Sequence, residues 1–176
     1  MLKKILIACA ILIAGFAVWI NSKPDDFHVE RTLVMAAPAS EIYGHVYSLK
    51  KWAAWSPWSK MDPNAKESFE GPNAGKGSVM CWDGNNKVGK GCMTITDTKL
   101  NKSVQYRLDF EKPFKDTSNS AFTLTPQGET ATSVTWSMSG KATFFSKFMS
   151  LFMDCDKMVG GEFEKGLASI KSIVEA

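Results

Sequence analysis

The chain has 176 residues, 44% hydrophobic and 22% charged, the make-up of an ordinary globular domain and not of a disordered or fibrous chain. Its 21 Lys and Arg against 18 Asp and Glu give +3, and Lys3, Lys4 and Lys23 account for all of it, because the body balances at 21 − 3 = 18 basic against 18 acidic. A balanced body offers no clustered Lys/Arg for a phosphate backbone, which argues against a nucleic-acid partner.

From Ile5 to Ile20 the chain carries 16 residues with no charged or strongly polar side chain, before the break at Asn21-Ser22-Lys23-Pro24. As a helix this run is about 24 Å long, slightly short of a hydrocarbon core of about 30 Å. Leu2, snorkelling Lys3 and Lys4, and interfacial Trp19 make up the difference. Residues 1–24 are therefore expected to be a membrane anchor or signal segment, and residues 25–176 one domain. Gly15-Phe16-Ala17 is a cleavage site of mediocre quality, and Trp19 and Ile20 continue the apolar run past it, which favours an uncleaved single-pass anchor. Lys3 and Lys4 on the cytoplasmic side place the domain on the far side.

Phe27 to Met35 reads as a strand. Pro38-Ala39-Ser40-Glu41 opens a short helix through Ser48, Lys50 to Trp58 is a second short helix or turn ended by Pro57, and Met61 to Lys76 is loop. From Gly77 the period is two: Met80 and Trp82, Met93 and Ile95, Val104, Tyr106, Leu108 and Phe110, Phe122 and Leu124, then Val134, Trp136 and Met138 alternate with polar neighbours. Turns such as Pro126-Gln127-Gly128 between these runs indicate an antiparallel meander with one apolar face. Cys81 and Cys92 flank a turn at Asp83–Lys87, so a cross-strand disulfide and two free thiols are both open, with Cys155 left over. No Cys-x-x-Cys pair supports a redox or zinc site. Gly84–Gly91 approaches a phosphate-binding loop, but its last position is Gly and a strand follows it, so a glycine-rich hairpin is the better account.

After Gly140 the spacing of Phe148, Phe152, Cys155, Val159, Phe163, Leu167, Ile170 and Val174 predicts one amphipathic helix from Phe145 to Val174, about 45 Å long. Gly160, Gly161 and Gly166 weaken it and suggest close approach by another element. The sum is an α+β fold: a curved antiparallel sheet of about seven strands wrapped around a long C-terminal helix, with two short helices after the first strand.

Several segments in order resemble the START-like, or SRPBCC, superfamily and its bacterial polyketide cyclase-like branch. They are Ala36-Ala37-Pro38-Ala39-Ser40-Glu41-Ile42-Tyr43, Trp52-Ala53-Ala54-Trp55-Ser56-Pro57-Trp58, Gly75-Lys76-Gly77-Ser78, Trp82-Asp83-Gly84-Asn85, Val88-Gly89-Lys90-Gly91, Val134 to Gly140, and Gly160 to Leu167. The resemblance implies the helix-grip fold and a cavity between sheet and helix used for lipids or other apolar molecules. With the anchor, it also implies a bacterial inner-membrane protein whose domain is periplasmic.

The residues expected to face that space are Met80, Trp82, Met93, Tyr106, Leu108, Phe110, Phe122, Trp136 and Met138 from the sheet, and Phe152, Cys155 and Val159, with Phe148, from the helix. The residues by themselves favour a filled core over an apolar pocket, and the resemblance makes the two readings even. Catalytic groups are scarce. Glu41 and His45 are spaced for a surface ion pair, Asp154 and Asp156 fall on different helix faces, and no metal or cofactor set is present. The expectation is a membrane-tethered domain binding a hydrophobic or amphipathic, lipid-like small molecule. The alternative is a polyketide cyclase/dehydratase-like enzyme in which Tyr106 positions substrate.

Overall fold

The computed structural model describes residues 2–142, 147, 148, 151 and 154–176. Seven antiparallel strands form one sheet in the order β1-β7-β6-β5-β4-β3-β2. They are β1 (Asp26–Met35), β2 (Lys66–Glu70), β3 (Val79–Asp83), β4 (Lys90–Lys99), β5 (Ser103–Lys112), β6 (Asp116–Pro126) and β7 (Thr132–Lys141). The helices given in full among the described residues are α1 (Leu2–Asn21), α2 (Ala39–Val46), α3 (Pro57–Met61) and α4 (Cys155–Val174), with a 3₁₀ helix at Leu49–Ala54 between α2 and α3. The α+β helix-grip arrangement thus holds: a sheet gripping a C-terminal helix.

Alternation along the strands produces the buried face. On β6, Ser118, Ser120, Phe122 and Leu124 are buried, and on β7 Thr132, Val134 and Trp136 are, while the residues between them stay more accessible. A register shift between Ile95 and Asp97 on β4 adds a bulge, a device that bends a sheet.

Three local readings change. The stretch read as loop contains β2, an edge strand paired with β3 from Lys66↔Asp83 to Glu70↔Val79. Its Lys-Glu-Ser-Phe-Glu sequence exposes every side chain, so no apolar period marks it, and charge on an edge discourages further pairing. Pro57 begins α3 instead of ending a helix, since its fixed φ suits a first helical position. The long helix starts at Cys155, not Phe145: Asp154 is extended and its carboxylate accepts the Lys157 N–H, a standard N-cap. Most of residues 145–153 lies outside the described residues.

Arg31 ties this N-terminal part of α4 to β1. Its guanidinium donates to Asp156 at 2.9 Å and to Glu164 at 2.8 Å, and that hydrogen bond holds the Asp156 carboxyl below its ordinary range. The glycines of α4 divide by what lies opposite. A Cβ on Gly160 would stand 2.2 Å from the Arg31 guanidinium and one on Gly166 would stand 2.6 Å from the Trp136 ring, whereas Gly161 has nothing within 4 Å. Close approach therefore explains two of the three.

Helix α1 has 20 residues. Among the described residues no helix is long and apolar enough to cross a membrane. Ile7, Ile11, Leu12, Val18 and Trp19 are exposed, but Ile20 is fully buried and Phe16 meets Phe148 edge-on at 6.4 Å, so the last turns of α1 rest on the domain. Lys147 is buried there and pairs with Asp25, holding the Asp25 carboxyl below its ordinary value.

Substitution at the glycines separates packing from helix propensity. Gly166→Ala is expected to cost about 1–3 kcal/mol by overpacking against Trp136, and Gly161→Ala to gain up to about 1 kcal/mol. Urea unfolding followed by circular dichroism measures both.

Candidate functional site

Burial along the inward-facing rows is uneven, and this unevenness makes the site. On β5, Val104 and Tyr106 are buried but Leu108 and Phe110 only half-buried; on β7, Val134 and Trp136 are buried but Met138 half-buried. The side chains of α4 follow suit: Phe163, Leu167 and Ile170 are buried, and Val159, nearer its start, is partly open. Helix and sheet meet tightly at one end and part at the other.

An aromatic cluster fills the tight end. Trp136 stacks on Phe122 at 4.7 Å and on Phe163 at 4.2 Å. Trp52 and Trp55, from the 3₁₀ segment, pack edge-on against Trp136 at 5.8 and 5.4 Å. Tyr106 lies beneath Trp52 at 5.3 Å, and its hydroxyl donates to the Val46 carbonyl at 2.7 Å. Burial pushes that phenol well above its ordinary pKa.

Beyond the cluster a cavity of about 310 Å³ remains, at the lower end of the range of about 300–1,000 Å³ seen for small-molecule sites. Trp52, Trp136 and Phe163 form its floor. Met80, Trp82, Met93, Leu108, Phe110 and Met138 form the sheet wall, with Val159 and Trp58 on the helical side. Trp82 lies across Gly91, where a Cβ would come within 2.9 Å of its ring. It is held by an N–H bond to the Val88 carbonyl at 3.2 Å and by an edge contact with Phe110 at 5.9 Å.

The exposed residues of the lining are Glu67, Lys87, Lys112 and Pro113, which mark the mouth. Register locates it. Lys112 pairs with Lys90, Lys90 with Asp83, and Asp83 with Lys66; Phe110 pairs with Asp116, Ser118 with Gly140, and Lys141 with Asp26. The mouth and the junction between α1 and β1 therefore share one end of the sheet. Three strand steps separate β1 from β5, about 14 Å at ordinary spacing.

Eleven of the expected site residues are fully described. Met80, Trp82, Met93, Leu108, Phe110, Trp136, Met138 and Val159 border the cavity together. Tyr106 and Phe122 do not; they belong to the packed cluster. Phe152 lies outside the described residues, as does the side chain of Cys155. Phe148 packs on Phe16 of α1. The expected inward-facing set leaves out Phe163, which was placed only on the helix stripe, and Trp52, whose 3₁₀ setting has no period to read; the Trp-rich segment suits both an entrance and packing beneath the sheet, and Trp52 and Trp58 do border the cavity.

Polar chemistry around the cavity is sparse. The titratable groups of its lining are Glu67, Lys87 and Lys112, all at the mouth. Glu41 and His45 form no ion pair among the described contacts; burial, then Lys51, holds His45 below its ordinary pKa. Asp154 caps α4 and Asp156 meets Arg31. No cluster of three or more His, Cys, Asp or Glu suited to a metal occurs among the described residues.

Cys81 and Cys92 are directly opposed in register with Cα atoms 4.0 Å apart and form a disulfide. By strand alternation it backs the wall that presents Met80, Trp82 and Met93.

A family model described as polyketide cyclase/dehydrase and lipid transport matches residues 26–175. No curated protein sequence matches. Among solved structures, the chain is similar to protein CV1439 from Chromobacterium violaceum, with a TM-score of 0.59 at 14% identity over 87% of this chain and 99% of that one. It is similar to protein jhp0584 from Helicobacter pylori, with a TM-score of 0.64 at 9% identity over 89% and 92%. The ZhuI aromatase/cyclase from Streptomyces sp. R1128 gives 0.59 at 15% identity over 85% and 94%. At these identities the likeness is one of fold.

The disulfide closes a short loop, with a sequence separation of 11, and a closure of that length stabilises by about 3 kcal/mol. Cys81→Ser with Cys92→Ser is expected to lower the urea midpoint accordingly, and reductant to reproduce the loss in the wild type while leaving the double variant unchanged.

Proposed function

The chain belongs to the polyketide cyclase/dehydrase and lipid transport family, and within it we propose that this protein binds a small, predominantly apolar molecule between its sheet and α4 while tethered to a membrane by α1. The observation that carries the binding reading is the cavity of about 310 Å³ walled by Trp, Met, Phe, Leu and Val side chains. Apolar surface attracts apolar surface at roughly 25 cal/mol per Å² removed from water, and Met80, Met93 and Met138 adapt to irregular shapes. The size suits a compact ring system or a short acyl chain better than a whole phospholipid.

The tether reading is supported by the uncharged run Ile5–Ile20, the Lys3-Lys4 flank and the exposed apolar row Ile7, Ile11, Leu12, Val18 and Trp19. On this account a mouth at the tethered end of the sheet opens toward a reservoir of apolar molecules, the bilayer itself. On this reading the protein sits in a bacterial inner membrane with its domain outside the cytoplasm. The disulfide agrees with an oxidising compartment.

A second reading, cyclase/dehydratase chemistry in the same cavity, is favoured by the family description and by the aromatase/cyclase neighbour. The lining supports it less well: among the described residues it includes no His, Asp, Cys or Tyr, and its titratable side chains stand at the mouth and not in the apolar interior where a proton would be moved. Tyr106, the expected positioning residue, is spent on Val46.

Two measurements test the proposal. Titration with N-phenyl-1-naphthylamine should give saturable fluorescence enhancement, and Leu108→Trp, which fills the cavity from β5, should weaken it at least about 10-fold with the fold retained by circular dichroism. Unchanged affinity in the variant places the dye elsewhere and removes the reading. In membrane fractionation the full chain should pellet with membranes through a carbonate wash and residues 25–176 should not; a full chain in the soluble fraction contradicts the tether.

A further inference from the structure

We propose that Lys87 and Lys112 at the mouth hold the anionic head of the ligand, so that the occupant of the cavity is a small amphiphile, a carboxylate carried on a short chain or a compact ring. This rests on the binding reading above and specifies its ligand class. The described lining holds three charged side chains, Glu67, Lys87 and Lys112, all exposed. Its hydroxyls, those of Ser56, Ser59 and Ser120, are neutral. Charge therefore enters the site only at the rim, and there the two cations lie together.

The fold brings these lysines to one side of the opening. Lys112 ends β5, and Lys87 sits in the turn between β3 and β4. In that turn the Asn85 side chain accepts the Lys87 N–H at 2.8 Å and the Asn85 carbonyl accepts the Gly89 N–H at 2.7 Å. Gly89 then lies against the end of β5, so close that a Cβ would stand 2.3 Å from the Lys112 carbonyl oxygen, and its φ of +70° favours glycine. Glu67 stands on β2, three strand steps from β5, about 14 Å along the sheet. Lys90, between them, is engaged by Asp83 at 3.7 Å and Glu111 at 3.3 Å, whereas neither Lys87 nor Lys112 forms an ion pair among the described residues. Two ammonium groups beside an apolar opening suit a molecule with an anion at one end and hydrocarbon at the other. The head stays at the hydrated rim, where lysine side chains can reach it, and the apolar part leaves water against the Trp136 and Phe163 floor. A carboxylate drawn into the interior would need a charged partner there, and the described lining places its charges only at the mouth.

Decanoate and 1-decanol share one chain and differ in the head, so their displacement of N-phenyl-1-naphthylamine from the full chain tests this. Affinities are measured in the wild type and in the double variant Lys87→Gln with Lys112→Gln, between which any partition into detergent cancels. The ratio of decanoate to decanol affinity is expected to fall about 5-fold in the variant, the worth of two exposed ion pairs. In the wild type the ratio should also fall as salt rises from about 0.01 to about 0.15 M, which shortens the Debye length from about 30 to about 8 Å, and in the variant it should not. A ratio unchanged in the variant overturns the head-group role and leaves the pocket standing, and a wild-type ratio indifferent to salt overturns it equally. Failure of the dye to bind the wild type saturably overturns the pocket with it.

Discussion

Trp136 lies nearly parallel to Phe163 of α4, 12° apart at 4.2 Å, with Phe122 on its other side at 4.7 Å. This stack sets the distance between helix and sheet, because three aromatic rings are a rigid spacer that neither rotamer change nor small shifts can thin. Gly166 is part of the same constraint, since any side chain there would strike Trp136. At the other end of the described helix Arg31 and Gly160 draw α4 toward β1, at the sheet's edge. Fixed at these two places, α4 cannot settle onto Leu108, Phe110 and Met138, and the cavity is the space left over. Unfilled apolar volume is destabilising, so a ligand that fills it also stabilises the fold.

Much of this arrangement was legible in the residues. Alternation named the inward face of every long strand of the meander, and three- and four-residue spacing named the buried stripe of α4. What the period cannot give is depth. Tyr106 and Leu108 sit on the same face of β5 two residues apart, yet one is sealed under Trp52 and the other borders open space, a difference made by the 3₁₀ segment laid over the sheet. That segment reads as a short helix or turn, as it is, but which of its side chains lie over the sheet is not legible because Trp52 and Trp55 follow no strand or helix repeat. β2 was hidden for the opposite reason: its side chains are exposed on both faces. The start of α4 was misread because apolar spacing runs on past the end of the helix, while the stronger local signal, an Asp whose carboxylate caps the first turn, was available at Asp154.

The charge balance gains a spatial meaning. The excess of +3 belongs to the segment before the domain, and the domain's ion pairs are local and mostly exposed, worth little individually. The two that matter for shape fasten elements together: Arg31 with Asp156 and Glu164 holds α4 to β1, and Lys147 with Asp25 fastens the entry from α1. That entry lies at the mouth end of the sheet.

The central claim is that the space bounded by Leu108, Met138, Val159 and Phe163 is a real, accessible apolar cavity in the folded protein. A crystal of the domain pressurised with xenon tests it directly, because xenon enters apolar cavities and is seen without chemical assumptions. The account predicts a xenon site between Met138 and Val159, with the Phe122–Trp136–Phe163 stack undisturbed. Side chains collapsed across that space with no xenon bound would contradict it.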